Sequence, residues 1–246
     1  MSKKRTPNYK ARRFVALLIV AIVGLGGAII ELESRDWQNV ELPFASQFAQ
    51  NESKNEPPSE AQNALETLEV KGRAAKTGYA RTQFGNGWDL GAHGCDMRNA
   101  ILQRDLTEVE TDENCKVQRG ILHDAYTGKE IAFVRGQASS ADVQIDHVVA
   151  LSNAWQTGAQ LLSPEERREF ANDPLNLLAV DGLANQQKGD GDAATWLPAN
   201  RGFRCSYVAR QIAVKQRYML WVTPAEKDAM ARVLGTCPGK TLPAEK

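Results

Sequence analysis

The apolar positions of this 246-residue chain fall into two rhythms. Helical spacing marks 96–106, where Met97, Ile101 and Leu102 share one face, and 207–221 near the C-terminus. Two further helix starts are written in capping chemistry: Ser163-Pro164-Glu165-Glu166 and Thr223-Pro224-Ala225-Glu226 each place a hydroxyl three residues before a glutamate, with proline in the first turn. Short apolar runs at 117–122, 131–134, 143–149 and 175–180 read as strands, the first two joined by a turn over 124–129 that contains Thr127-Gly128. Shorter helices are predicted over 150–158 and 181–188. Strands and helices in this order predict an α+β domain, and no internal repeat is visible.

Ahead of that domain the pattern breaks down. Residues 14–30 are seventeen positions without a charge, preceded by six Lys/Arg and no acid in 1–13. The basic flank holds the N-terminus in the cytoplasm, so 14–30 predicts a single membrane anchor, or a signal peptide if it is cleaved. The remainder of the chain is then expected outside the cytoplasmic membrane, or secreted after cleavage. Residues 31–63 are polar and acidic around Asn51 to Pro58 and predict a flexible tether. The folded domain is expected over 64–246, where Leu65, Leu68 and Val70 restore an apolar pattern.

Formal neutrality hides a segregation of charge. Residues 31–69 hold nine acids against two bases, whereas 70–246 hold 22 Lys/Arg against 21 Asp/Glu. The body therefore lacks the broad basic field of a tight nucleic-acid binder, which leaves room only for a local cationic groove. Cys95, Cys115, Cys205 and Cys237 form no Cys-x-x-Cys pair, which argues against a zinc ribbon or redox motif. An even count outside the membrane predicts two disulfides, and local loop closure favours Cys95–Cys115 and Cys205–Cys237.

The densest chemistry lies at Asp146-His147, at the end of a predicted strand, followed by Asn176 in Asn172-Asp173-Pro174-Leu175-Asn176-Leu177-Leu178 and by Asn185 in Asn185-Gln186-Gln187-Lys188. Phosphodiester hydrolysis needs a base for water and positive charge for the phosphoryl and leaving oxygens. An imidazole suits the first role and a divalent ion the second. One carboxylate and one amide oxygen suffice for a hard ion such as Mg²⁺, which keeps several waters. Adjacent strand residues point to opposite faces, so Asp146 and His147 can serve one phosphate only at a strand end or bulge.

These residues, with Ala154-Trp155, Gly158-Ala159 and Trp196-Leu197-Pro198, resemble the HNH endonucleases of the ββα-metal class. The nearest likeness is to the exported actinobacterial proteins related to nuclease domains of modification-dependent restriction systems. The resemblance spans about 95–237 and implies a ββα-metal finger embedded in a mostly helical domain. It implies a DNA endonuclease, with RNA as a second substrate class, that leaves 5′-phosphate ends. His147 would be the general base, Asp146 and Asn185 the ligands of one Mg²⁺ or Mn²⁺, and Asn176 the brace of the catalytic histidine's loop. Lys188 is divided between phosphate contact and a solvated face. No protein partner is predicted. The competing function is a cell-surface binding domain that keeps the fold without turnover. His93 and His123 read as loop and structural histidines, Arg104, Arg119 and Arg135 as ordinary surface charge. Trp155, Trp196, Tyr207, Tyr218 and Trp221 read as core, and Lys215 as a flank of the groove.

Overall fold

The computed structural model describes residues 57–91, 94–136 and 140–243. The expected anchor at 14–30, the tether up to residue 56 and His93 lie outside the described residues. Among the described residues, no helix is long and apolar enough to cross a membrane.

Helix α1 (Glu60–Thr67) is opened by a full capping box between Ser59 and Gln62. A 3-10 turn at Arg81–Phe84 precedes α2 (Met97–Asp105), which Asp96 caps through the backbone N–H of Asn99. Strands β1 (Leu106–Thr111), β2 (Val117–His123) and β3 (Glu130–Val134) form an antiparallel sheet in that order. β1 was not predicted; it follows α2 without a break and is irregular around Glu108, whose φ is 52°.

A second, two-stranded antiparallel sheet pairs β4 (Val143–His147) with β5 (Leu177–Asp181). Between them run α3 (Leu151–Gln156) and α4 (Pro164–Asn172), the latter started by the Ser163–Glu166 capping box. After β5 the chain turns at once into α5 (Gly182–Lys188), with Asp181 capping the N–H of Ala184 at 2.7 Å. Gly182 is required at this corner, because a Cβ there would lie 2.1 Å from the carbonyl oxygen of Ala141. The chain closes with α6 (Arg204–Arg217) and α7 (Pro224–Leu234), which opens on the Thr223–Glu226 box.

β4 and β5 form a wall between two cores. Val143, Ile145, Leu177 and Ala179 face Ile101, Leu102, Val117 and Phe133 of α2 and the three-stranded sheet. Leu178 and Val180 face the other way, toward Tyr126, Ala184, Val208 and Ile212. A third cluster packs Phe84, Trp155 and Phe170 around α3 and α4. Each fully buried Leu, Ile or Phe contributes roughly 1.5–3 kcal/mol of transfer free energy, so both faces of the wall are held. Disulfides join Cys95 to Cys115 and Cys205 to Cys237, the pairing expected from loop closure, with Cα atoms 5.5 and 6.3 Å apart.

Candidate active site at the end of β4

Strand β4 keeps its alternation to its last residue. The ladder runs Ile145 to Ala179, Asp146 to Leu178 and His147 to Leu177 without a bulge, so Asp146 and His147 leave the wall on opposite faces. The strand end expected from the sequence is present, yet it does not turn the two side chains toward each other.

Asp146 points toward α5 and α6 and is 5 % exposed. One carboxylate oxygen accepts the Tyr126 hydroxyl; the other accepts Lys188 Nζ at 3.0 Å. Lys188 Nζ also donates to the backbone carbonyl of His147 at 2.8 Å. Burial raises the Asp146 pKa above the ordinary carboxylate range, although the Lys188 ammonium and the Tyr126 hydroxyl pull it down. Burial, with Asp146 second, drives the Tyr126 phenol well above its usual value. Lys188 is therefore neither on a solvated face nor open to a phosphate: its side chain is wholly buried in an ion pair.

His147 points toward α4. Its ring stacks on Trp88 with centroids 5.8 Å apart and planes 9° from parallel, and Nε2 lies 2.9 Å from the carbonyl oxygen of Ala171. Burial lowers its pKa to about 3; the Ala171 carbonyl opposes this, and the positive charges of Arg81 and Lys188 reinforce it. The imidazole is thus neutral at ordinary pH. A carbonyl can only accept, so Nε2 carries the proton and Nδ1 keeps a lone pair. The ring lines a pocket of about 190 Å³ together with Arg81, Trp88, Gly85, Leu151 and Ala171.

Asn176 is fully buried and binds the chain just beyond His147: Oδ1 accepts the Val149 N–H at 2.8 Å, Nδ2 donates to the Val149 and Phe170 carbonyls, and the Asn176 carbonyl accepts the Val148 N–H. Asn185, on α5, donates from Nδ2 to Gln144 Oε1 at 2.9 Å. Gln144 is two residues before Asp146 and shares its face of β4. The structure therefore places Asp146, Asn185 and Lys188 on one face, His147 on the other, and Asn176 between His147's strand end and α4.

This donor set does not fit a divalent ion as arranged. Both oxygens of Asp146 are engaged, and the Lys188 ammonium already supplies the positive charge that a metal would bring. Among the described residues, no group of three or more His, Cys, Asp or Glu side chains converges.

Arg81, Trp88 and Tyr126 carry no signal in the sequence that separates them from other aromatic and basic positions; only the fold brings them to this strand end. Lys215 does not flank a groove. It is fully buried, paired with Glu226 at 3.0 Å and donating to the Trp221 carbonyl. Arg104 pairs with Asp105 and donates to the Leu177 carbonyl, and Arg135 donates to the Val117 carbonyl and to Asn99 Oδ1.

The depressed His147 pKa has a stability consequence. The unfolded imidazole, near pH 6.5, binds a proton that the folded one refuses until about pH 3. The stabilisation is fully present above the unfolded value and is lost as pH falls toward the folded one, with a slope of up to about 1.4 kcal/mol per pH unit. Urea unfolding of the wild type and of His147→Gln between those two pH values is expected to show this acid slope only in the wild type. Parallel slopes would show that His147 is not held neutral.

Comparison with known proteins places this site in a family. Residues 96–233, more than half of the chain, match the family described as "GmrSD restriction endonucleases, C-terminal domain". A protein of Arthroderma benhamiae (strain ATCC MYA-4681 / CBS 112371), described as "Uncharacterized secreted protein", is 38 % identical over 181 residues, covering 73 % of this chain and 85 % of that protein. No solved structure matches. The matched segment contains Asp146, His147, Asn176, Asn185 and Lys188, and the chain belongs to the family of GmrSD restriction endonuclease C-terminal domains.

Proposed function

We propose that this protein is an endonuclease that hydrolyses phosphodiester bonds of DNA, and of RNA as a second class, outside the cytoplasmic membrane. The observation that carries the reading is His147. A neutral imidazole, oriented by the Ala171 carbonyl and the Trp88 face and with Nδ1 left as its acceptor, lines a pocket that Arg81 also lines. Nδ1 takes a proton from water as the water oxygen bonds to phosphorus and the P–O3′ bond breaks; the departing O3′ takes a proton from solvent, and Arg81 offsets charge on the phosphoryl oxygens. Asn176 holds the turn after β4 in place through Val148 and Val149, so the imidazole approaches from a fixed strand end.

The family supports a nuclease, and the antiparallel pair β4–β5 followed by α5 supports the HNH reading of it. Two disulfides and the secreted description of the Arthroderma relative support an oxidising location. The Mg²⁺ or Mn²⁺ implied by the resemblance would have to displace Lys188 or the Tyr126 hydroxyl to reach Asp146. The ion requirement is therefore a variable of the test: the full chain is incubated with supercoiled plasmid in Mg²⁺, in Mn²⁺ and in EDTA. Nicking with either ion and none in EDTA supports a metal-dependent nuclease whose carboxylate opens. Nicking that persists in EDTA supports hydrolysis by the chain's own residues. Plasmid left intact in all three would overturn the proposal.

A further inference from the structure

Away from the β4 end, a cleft of about 450 Å³ lies between the loop after α5 and the start of α6 on one side and α7 on the other. Its floor is apolar, with Ala193, Leu197, Ala229 and Val233, and three arginines stand over it: Arg201, Arg204 and Arg232. Among the described residues, no carboxylate lines it. Elsewhere on the domain arginines meet aspartates, as Arg73 does Asp192, Arg168 does Asp89 and Arg217 does Asp173. Arg201 and Arg232 are exposed and have no ion pair among the described residues. Arg204 is half-buried and lines the cleft; its Nε donates to the Pro198 carbonyl at 2.7 Å, and its terminal nitrogens have no hydrogen bond among the described residues.

The walls are also fastened. Cys205 follows Arg204, Cys237 follows Thr236 on the opposite wall, and the two are joined; Lys240 adds a hydrogen bond to Ser206 at 2.8 Å. Three guanidiniums with no acid among the described lining residues, in a body of 22 bases and 21 acids from residue 70 onward, are a local concentration of positive charge. Guanidinium forks match phosphate oxygens in pairs. The cleft is larger than one phosphate needs, and its apolar floor suits the sugar and base that come with a nucleotide.

We propose that this cleft is a second nucleic-acid site, which holds the phosphate backbone of a strand through Arg201, Arg204 and Arg232 while the β4 end does the chemistry. The proposal rests on the nuclease reading and is tested by binding rather than cleavage. The full chain and its Arg201→Ala/Arg232→Ala variant are titrated onto a short fluorescein-labelled DNA duplex with phosphorothioate linkages, by anisotropy over a NaCl series. Losing two phosphate contacts is expected to weaken binding about tenfold at physiological salt and to make the slope of log K against log salt shallower by about 1.8. The basic block at 1–13 is common to both proteins, so the difference in slope reports the cleft. Arg201→Lys/Arg232→Lys is expected to keep most of the slope, which separates lost charge from lost fold.

Equal affinity and slope in wild type and alanine variant would overturn the proposal, as would absence of duplex binding by the wild type. Arginine-dependent binding to phosphatidylserine vesicles, with DNA binding unchanged, would overturn it in favour of a membrane surface. If the alanine variant binds like the wild type while the wild type nicks plasmid, only the cleft fails. If the slope changes as expected while the wild type nicks nothing, the cleft stands and the proposed activity fails.

Discussion

His147→Ala is expected to reduce plasmid nicking by a factor of about 10², the low end of a positioned general base's contribution, because burial makes this imidazole a weaker base than one titrating near the working pH. The imidazole is neutral, its Nε2–H is committed to the Ala171 carbonyl, and only Nδ1 is left to receive a proton. Alanine removes that acceptor and leaves space beside Trp88, but breaks no strand pairing, since the His147 backbone remains in the β4–β5 ladder. His147→Gln separates the two roles of the ring. Its amide can still donate to Ala171 but is a poor base, so it should restore stability and not turnover. Nicking by either variant within a few-fold of the wild type, with folding verified by circular dichroism, would remove His147 from the chemistry.

Lys188→Met is expected to be the most destabilising single change at the site, by about 3–5 kcal/mol, because it strands a buried carboxylate without its partner. Asp146 would keep the Tyr126 hydroxyl but lose its ammonium partner, and its already raised pKa would rise further. A folded pKa above the unfolded one means that the folded state binds the extra proton. Stability of the variant should therefore fall as pH rises through and above the ordinary carboxylate range. The double variant Lys188→Met/Asp146→Asn, which removes the stranded charge, should recover a large part of the loss. Chemical denaturation over pH checks both expectations. A Lys188→Met protein as stable as the wild type, with no pH slope of its own, would show that the ammonium does not hold Asp146 in the fold.

Local chemistry was the most legible part of this chain. The Ser163 and Thr223 capping boxes start α4 and α7 as read, because a hydroxyl and a glutamate three residues apart satisfy one another without help from the rest of the fold. The Ser59–Gln62 box works in the same way but sits in a polar, acidic stretch whose composition conceals it. β1 was missed because Leu-Thr-Glu-Val-Glu-Thr follows α2 with no turn residue between them, and its acids are depleted in strands.

At the site, Asp146, His147, Asn176 and Asn185 could be picked out as residue types in order. Their environment could not. Lysine is among the residues least often fully buried, so nothing local marks Lys188 as the internal partner of Asp146, 42 residues earlier. Trp88 and Arg81 reach His147 from about sixty residues upstream, a pairing that only tertiary packing decides.

The strict alternation at the end of β4 also acts on strand pairing. A two-stranded sheet with two buried faces is open to slippage, since moving one strand by a single residue exchanges its faces. Here such a slip would push the Asp146 carboxylate toward Ile101 and Phe133 and lay the imidazole beside the Lys188 ammonium. Both errors are penalised by charge, whereas an all-apolar strand would tolerate them. A carboxylate and an imidazole one peptide apart thus serve as a register mark, which lets the wall between two cores assemble in one alignment only.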